Sequence, residues 1–186
     1  MKTWARKGSG FTIVELLIVI VVIAILAAIS IVAYNGIQDR AKNNSTIQLA
    51  AQLQKLVFAY VNGSGQLPAT GTFCFTKDNI CTSDSGATPV DTNNGTLVTK
   101  LSEYGTVPNS APYPTGIRTS YASGRMVNNV LNPFFIIYWL KGTNSNCGLQ
   151  AVTGSGTSWV NSTTGYTSSS DGMTYCIVAT RDPSTL

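Results

Sequence analysis

The chain opens with one long apolar run that the rest of the sequence does not repeat. Leu16 to Ile29 is fourteen residues without a polar side chain, and Phe11 to Ala33 is interrupted only by Thr12, Glu15 and Ser30. About 20 consecutive apolar residues are enough to cross a bilayer as a helix. The pattern therefore predicts a membrane-spanning helix over residues 11–33.

Beyond Ala33 the chain becomes more polar, but apolar residues still recur at helical spacing. They stand three or four residues apart over much of the segment, at Ile37, Ala41, Leu49, Leu53, Leu56 and Tyr60. Polar residues occupy the remaining surface, at Lys42, Asn43, Gln48, Gln52 and Lys55. This spacing predicts that the helix continues as an amphipathic segment over 34–62 and stops at Gly63. We expect its apolar stripe to pack beneath the following domain rather than to form a ligand groove.

Residues 63–186 are rich in Gly, Ser, Thr and Asn and contain all seven prolines. This composition predicts a turn-rich connection over 63–94, a short helix at 96–104, and then strands separated by turns. The aromatic run Phe134–Leu140 alternates poorly, which indicates a central strand buried on both faces. We expect an α+β fold in which an antiparallel sheet packs on the long helix. The predicted strands are 117–122, 134–140, 148–152, 158–161 and 173–180.

Charge is concentrated at the amino terminus. Lys2, Arg6 and Lys7 immediately precede the apolar run, and such basic flanks remain in the cytoplasm, so the rest of the chain is expected across the membrane. Residues 63–186 carry six basic and six acidic side chains. Nucleic-acid binding usually needs a basic stripe, so no dedicated nucleic-acid site is predicted.

The composition also argues against catalysis. The chain has no histidine, which removes the commonest general base and metal ligand. We therefore expect no enzyme activity, no cofactor and no metal site. The four cysteines, at 74, 81, 147 and 176, follow the predicted membrane segment, where an oxidising setting favours disulfides over thiols. Four cysteines allow three pairings, and their spacing does not suit a zinc site.

The amino-terminal segment supports three hypotheses. A basic region, an apolar run and Ala28-Ile29-Ser30 match the plan of a cleaved secretory signal. A plain single-pass anchor is the second possibility. The third begins with Glu15, because an acid inside an apolar span is costly and suggests a partner that neutralises it. The alternative interpretation of Glu15 is that it needs no partner and is an ordinary acid in the first turn, where the helix dipole favours a negative charge.

The segment Gly8-Ser9-Gly10-Phe11-Thr12-Ile13-Val14-Glu15-Leu16-Leu17 resembles the amino-terminal signature of type IV prepilins. The resemblance covers about the first forty residues and implies that a prepilin peptidase cuts between Gly10 and Phe11 and N-methylates Phe11. It also implies that Glu15 meets the new amine of a neighbouring subunit during filament assembly. Thr12 is a further candidate for assembly, and its hydroxyl is also able to bond back to a backbone carbonyl.

One departure from the family is clear. Many members carry a proline that kinks the helix, whereas no proline occurs here before Pro68. The helix is expected to be straighter, with Gly36 only a milder weak point.

Cleavage would create a positive amine on Phe11, four residues or one helical turn from Glu15. This pairing can form within one chain or between two. Identical apolar helices would also cover one another in a filament, so polymerisation would replace lipid contacts with protein contacts. Resemblance to the carboxyl-terminal loop of many pilins favours Cys147–Cys176, which leaves Cys74–Cys81 to close a small loop.

The implied organisation is a leader (1–10), an assembly helix (11–33), its amphipathic continuation (34–62) and an extracytoplasmic head (63–186). The expected function is a structural subunit of a type IV pilus for adhesion, motility or DNA uptake. Its partners would be other copies, other pilins, the prepilin peptidase, the assembly platform and, before assembly, the inner membrane. The alternatives are a pseudopilin of a type II secretion system and a secreted or anchored binding module that does not polymerise.

Overall fold

The structure is a computed structural model, and it describes residues 10–78, 81, 95–112, 116–121, 124, 126–131, 134–143, 145–155, 158–167 and 172–180. The basic leader before Gly10 and most of the predicted 63–94 connection after Asp78 lie outside these residues. The chain divides into two compact units, Met1–Asp39 and Arg40–Leu186. Each unit is described by itself.

The described part of the first unit is mostly the amino-terminal part of a long helix, α1, which spans Ile13–Ser64. Its large apolar side chains are exposed, from Ile13 at 85% to Val21 at 47%. The helix is long and apolar enough to cross a membrane. It runs through Gly36 without a break, as the absence of an early proline predicts.

The carboxyl end of α1 differs from the prediction by two residues. The helix continues through Gly63 to Ser64, and Gly65 adopts a positive φ of 66°. The Gly65 N–H donates to the Val61 carbonyl at 2.8 Å, which closes the last turn. Glycine at position 63 instead leaves room for Tyr104, because a Cβ there would lie 2.5 Å from the Tyr104 hydroxyl oxygen. The prediction that Gly63 stops the helix is therefore wrong.

The second unit contains a short helix and the sheet. Helix α2 spans Gly95–Ser102, slightly shorter than predicted. The described strands are β1 Ile117–Tyr121, β2 Met126–Val127, β3 Val130–Leu131, β4 Phe134–Lys141, β5 Asn146–Ser155, β6 Ser158–Thr164, β7 Tyr166–Thr167 and β8 Met173–Thr180.

Five longer strands form the antiparallel part of the sheet, in the order β1-β4-β8-β5-β6. These are the five predicted strands, and the α+β fold is confirmed. The strand at 117 ends at Tyr121, whereas the last predicted residue, Ala122, lies outside the described residues. Three two-residue strands were missed. β2 runs parallel to β6, β3 pairs with β2, and β7 pairs with β8.

The sheet packs on the carboxyl-terminal part of α1 through one hydrophobic core. The Leu49–Tyr60 stripe supplies that contact as predicted, although Ile37 and Ala41 are exposed. Burying one large apolar side chain contributes about 1.5–3 kcal/mol, so this stripe is a main source of stability. The largest core side chains are Leu53, Val57, Phe75, Leu101, Ile117, Phe134, Ile136, Tyr138 and Leu140.

A second core lies on the other face of β4. Phe135, Ile137 and Trp139 pack there, while the alternate residues of β4 face the helix. Burial on both faces confirms the prediction that β4 is a central strand. The same face holds Arg118, which is 7% exposed, lies over the Trp139 ring at 5.3 Å and donates to the Tyr175 hydroxyl at 3.2 Å. Burial lowers the pKa of the Arg118 guanidinium.

The second unit contains two disulfides, one of which connects two strands. Cys74 bonds to Cys81, and Cys147 of β5 bonds to Cys176 of β8. All four cysteines are buried. Tyr138 donates its hydroxyl proton to the Cys147 carbonyl at 2.6 Å, and burial raises the pKa of this phenol above its usual range.

One polar side chain joins α1 to the end of β4. The Asn43 amide nitrogen donates to the Lys141 carbonyl at 2.9 Å, and the Lys141 N–H donates to the Asn43 amide oxygen at 2.8 Å. We expect Asn43→Ala to lower the free energy of unfolding by about 1–3 kcal/mol, because two hydrogen bonds are lost. Urea unfolding of the detergent-solubilised chain, followed by tryptophan fluorescence, measures this.

Asn44→Ala is the matched control, because Asn44 is an exposed amide on the same helix. Its effect should stay within about 0.5 kcal/mol. Equal stability of the Asn43 and Asn44 variants would show that the two bonds to Lys141 are not important.

Candidate functional site

The predicted processing junction lies just before α1. Gly10 and Phe11 have no regular secondary structure, and the Phe11 side chain is 89% exposed. A Cβ added at Gly10 would meet no atom within 4 Å. The residues that the structure describes around Gly10 therefore give no steric reason for glycine at this position. A requirement for a small residue would have to come from an enzyme that binds the junction.

Thr12 and Glu15 form a reciprocal cap at the start of α1. The Glu15 N–H donates to the Thr12 hydroxyl oxygen at 3.2 Å, and the Thr12 N–H donates to Oε2 of Glu15 at 2.8 Å. The Thr12 hydroxyl proton is also donated to Oε2, at 2.8 Å. This is a capping box, in which a Thr and a Glu three residues later satisfy two backbone N–H groups of the first turn.

The cap changes two of the sequence interpretations. The Thr12 hydroxyl bonds to the Glu15 side chain rather than to a backbone carbonyl. Phe11 precedes the cap and is outside the helix, so it is not one helical turn from Glu15 as the spacing suggested. The motif Thr-x-x-Glu before an apolar run was a readable signal of this helix start.

The cap leaves Glu15 with unused acceptor capacity. Both bonds from Thr12 end on the same oxygen, Oε2, whereas a carboxylate has about four acceptor positions on two oxygens. The residues next to it on the helix are exposed and apolar, including Leu16, Ile18 and Val19. The carboxylate therefore stands in an apolar surface and is able to accept a further donor from outside the chain.

We expect Thr12→Val to loosen the first turn of α1, because valine has the shape of threonine without its hydroxyl. A lost cap of this kind costs about 1 kcal/mol, which corresponds to roughly fivefold faster exchange of the Glu15 amide hydrogen. Amide hydrogen exchange by NMR in detergent measures this rate. Thr12→Ser keeps the hydroxyl and should keep the protection, and equal exchange in the two variants would contradict the cap.

Comparison with known proteins agrees with the amino-terminal signature. Residues 5–31 match the family model described as the prokaryotic N-terminal methylation motif. The chain is 29% identical over 93 residues to a fimbrial protein of Neisseria meningitidis serogroup A, a match that covers 50% of this chain and 55% of that protein.

Two further relatives are similar over a shorter region. The type IV major pilin protein PilE1 of Neisseria gonorrhoeae is 38% identical over 64 residues, or 34% of this chain and 39% of the relative. The fimbrial protein EcpC of Eikenella corrodens is 40% identical over 61 residues, or 33% of this chain and 40% of the relative. The chain thus spans about half or less of the length of these relatives. No solved structure matches it significantly.

Proposed function

We propose that this chain, which carries the amino-terminal methylation motif and a pilin-like α+β architecture, is a structural subunit of a type IV pilus. The observation that carries the proposal is a capped acid, Glu15, in the first turn of an apolar helix whose side chains are exposed. Such a helix needs an apolar environment, and such an acid needs a cation. A filament of identical subunits supplies both. The chain is then a structural protein rather than an enzyme.

Processing is the first step of this function. A prepilin peptidase would cut between Gly10 and Phe11 and methylate the new amine of Phe11. The exposed, non-helical backbone at the junction supports this step, because a peptidase must bind its substrate in an extended form before cutting it. Thr12 and Glu15 would stay with the processed chain and would preserve the cap.

Pairing between two chains is the second step. Because Phe11 lies before the cap, the amine of the same chain has no helical spacing that would direct it to Glu15. The amine of a neighbouring subunit is not held at this position and would approach the acceptor positions on the Glu15 carboxylate that Thr12 does not occupy. We therefore favour pairing between subunits, with Glu15 setting the position of each incoming chain and Thr12 orienting the carboxylate.

The apolar helix would supply most of the assembly energy. Each large apolar side chain that is moved from an apolar environment into water loses about 1.5–3 kcal/mol, so extraction into water is prohibitive. Packing against identical helices replaces the lipid contacts instead. Extraction and polymerisation would then be a single event at the assembly platform.

The proposed organisation follows the same steps. Residues 1–10 are the leader, 11–33 the membrane and assembly helix, 34–62 its amphipathic continuation and 63–186 the head. The amino end would face the cytoplasm before assembly, and the head would be outside the cell in the filament. The relatives described above are named fimbrial proteins or pilins, which supports a pilus rather than a secretion pseudopilus.

Filament purification tests this function. Surface filaments sheared from cells that produce the chain should contain it, as identified by mass spectrometry of the purified fibre. Cells without the chain should lose the fibre or its normal composition. Recovery of the chain only from membranes or as a soluble secreted protein, in cells that make such filaments, would contradict the proposal and favour a binding module.

A further inference from the structure

The ladder between β5 and β6 opens at one point. Asn146 pairs with Thr164, but pairing resumes only at Ala151 with Ser162. Residues 147–150 of β5 therefore stand opposite residue 163 of β6, whereas an ordinary bulge sets two residues against one. The backbone of β5 must leave the ladder here, and the two strands separate.

Three interactions hold this separated part of β5 in place. Cys147 is bonded to Cys176 of β8, and the Asn146 amide oxygen accepts the Gly148 N–H at 2.8 Å. Gly148 has a φ of 68°, and a Cβ there would lie 2.6 Å from Cγ2 of Ile47 on α1. The shape of this region is thus fixed by a covalent bond, a hydrogen bond and close packing.

The separated strands form an open groove of about 660 Å³. This volume lies within the range of about 300–1,000 Å³ that is usual for small-molecule sites. Its described lining is uncharged and consists of three amides, two hydroxyls, a glycine and one apolar side chain: Asn146, Gln150, Asn161, Ser162, Thr163, Gly148 and Leu149. Amides and hydroxyls each both donate and accept hydrogen bonds.

We propose that this groove binds a neutral carbohydrate. A charged ligand would lose hydration without meeting an opposite charge among these residues, and an apolar ligand would take water from the exposed Gln150 and Asn161 amides without replacing its hydrogen bonds. A sugar presents hydroxyl groups that both donate and accept, and its C–H surface would rest on Leu149. An extended peptide is a poorer match, because β5 is paired to β6 beyond Ala151 and to β8 at Ala151.

Rigidity supports the same conclusion. Sugars form many weak hydrogen bonds, so a site that must first be ordered would lose much of that energy. The disulfide and the Ile47 contact hold the β5 side of the groove before any ligand arrives. This proposal goes beyond filament assembly and does not depend on it, since the groove contains none of the assembly residues.

Saturation-transfer NMR on the full chain tests the proposal. The chain is kept in an amine oxide detergent, because sugar-based detergents would compete for the site. The probes are glucose, galactose, mannose, N-acetylglucosamine and N-acetylgalactosamine, with glucuronate and glucosamine as charged comparisons. At least one neutral sugar should receive saturation from the protein and should bind more tightly than the charged pair.

Two variants locate the binding. Gln150→Ala and Asn161→Ala remove exposed amides and should each weaken the best neutral sugar by about three- to tenfold. Asn44→Ala removes an exposed amide that does not line the groove and should leave affinity unchanged. Thr163→Val, nearly equal in shape, provides a third test in case an amide variant folds poorly, as judged by circular dichroism.

Three results would overturn the proposal. These are no saturation of any of the five neutral sugars, equal binding of the charged pair, or unchanged affinity in folded groove variants. Filament incorporation of the same variants is measured in parallel. Groove variants that enter filaments normally but no longer bind sugar would support both proposals. If the unaltered chain binds sugar but forms no filaments, only the proposal that it is a pilus subunit is contradicted.

Discussion

Replacing Glu15 with valine is expected to leave the chain in the membrane and to remove it from the filament. Loss of the charge makes the helix more compatible with an apolar environment, so insertion is unchanged or improved. The amine of the neighbouring subunit then has no carboxylate to meet. A lost charge-assisted hydrogen bond predicts a fall of about tenfold or more in filament incorporation. Immunoblots of membrane and sheared-surface fractions measure the ratio.

Glu15→Gln separates the charge from the helix cap. Glutamine also serves in a capping box, so this variant should retain the bond from the Thr12 N–H while losing the negative charge. We expect it to assemble as poorly as the valine variant. Normal filaments from Glu15→Gln, with none from Glu15→Val, would assign the effect to the cap and contradict the ion pair between subunits.

Removing the Cys147–Cys176 disulfide is expected to destabilise the second unit strongly. The bond joins residues 29 apart in sequence, and its loss should lower the free energy of unfolding by about 2–5 kcal/mol. Both sulfurs lie in the core beneath α1, so the double alanine variant also loses packing. Urea unfolding of the detergent-solubilised chain measures the loss.

The second disulfide provides the matched comparison. Cys74 and Cys81 are only 7 residues apart, so the entropy that their bond removes from the unfolded chain is smaller. Their double alanine variant should be more stable than the Cys147/Cys176 variant by about 1 kcal/mol. The opposite order of stability would show that the longer loop is not the main covalent constraint on the sheet.

The elements that depend on long, regular patterns could be predicted from the sequence. The apolar run predicts that the amino-terminal part of the chain is helical, and the stripe from Leu49 to Tyr60 predicts the helix surface that packs on the sheet. β8 was predicted at its observed bounds, Met173–Thr180. Such elements are readable because many residues repeat the same signal.

The ends of α1 depend on single contacts and were each misplaced by two residues. Thr12 begins the helix through its bonds to Glu15, which the Thr-x-x-Glu motif does encode. The other end offered two glycines, Gly63 and Gly65. Gly65 ends the helix with its positive φ, whereas Gly63 stays helical beside Tyr104, a contact between distant parts of the chain that no local pattern shows.

Other features were missed because they arise from the fold. β2 and β3 are two residues each, and the turn between them is made by Asn128 and Asn129, both with positive φ. Two asparagines between two apolar pairs are typical of a tight hairpin turn, so this hairpin could have been predicted from the sequence. The burial of Arg118 and the excursion of β5 have no local signal, because they are set by neighbouring strands.

The amino terminus of the native chain gives the most direct test of the account. Intact-mass measurement and amino-terminal sequencing, on chain from cells with active prepilin peptidase, should find N-methylated Phe11 as the first residue. A first residue at Ile31 would indicate an ordinary signal peptidase. Recovery of the mature protein with residues 1–10 still attached would contradict the claim that a newly formed amine neutralises Glu15.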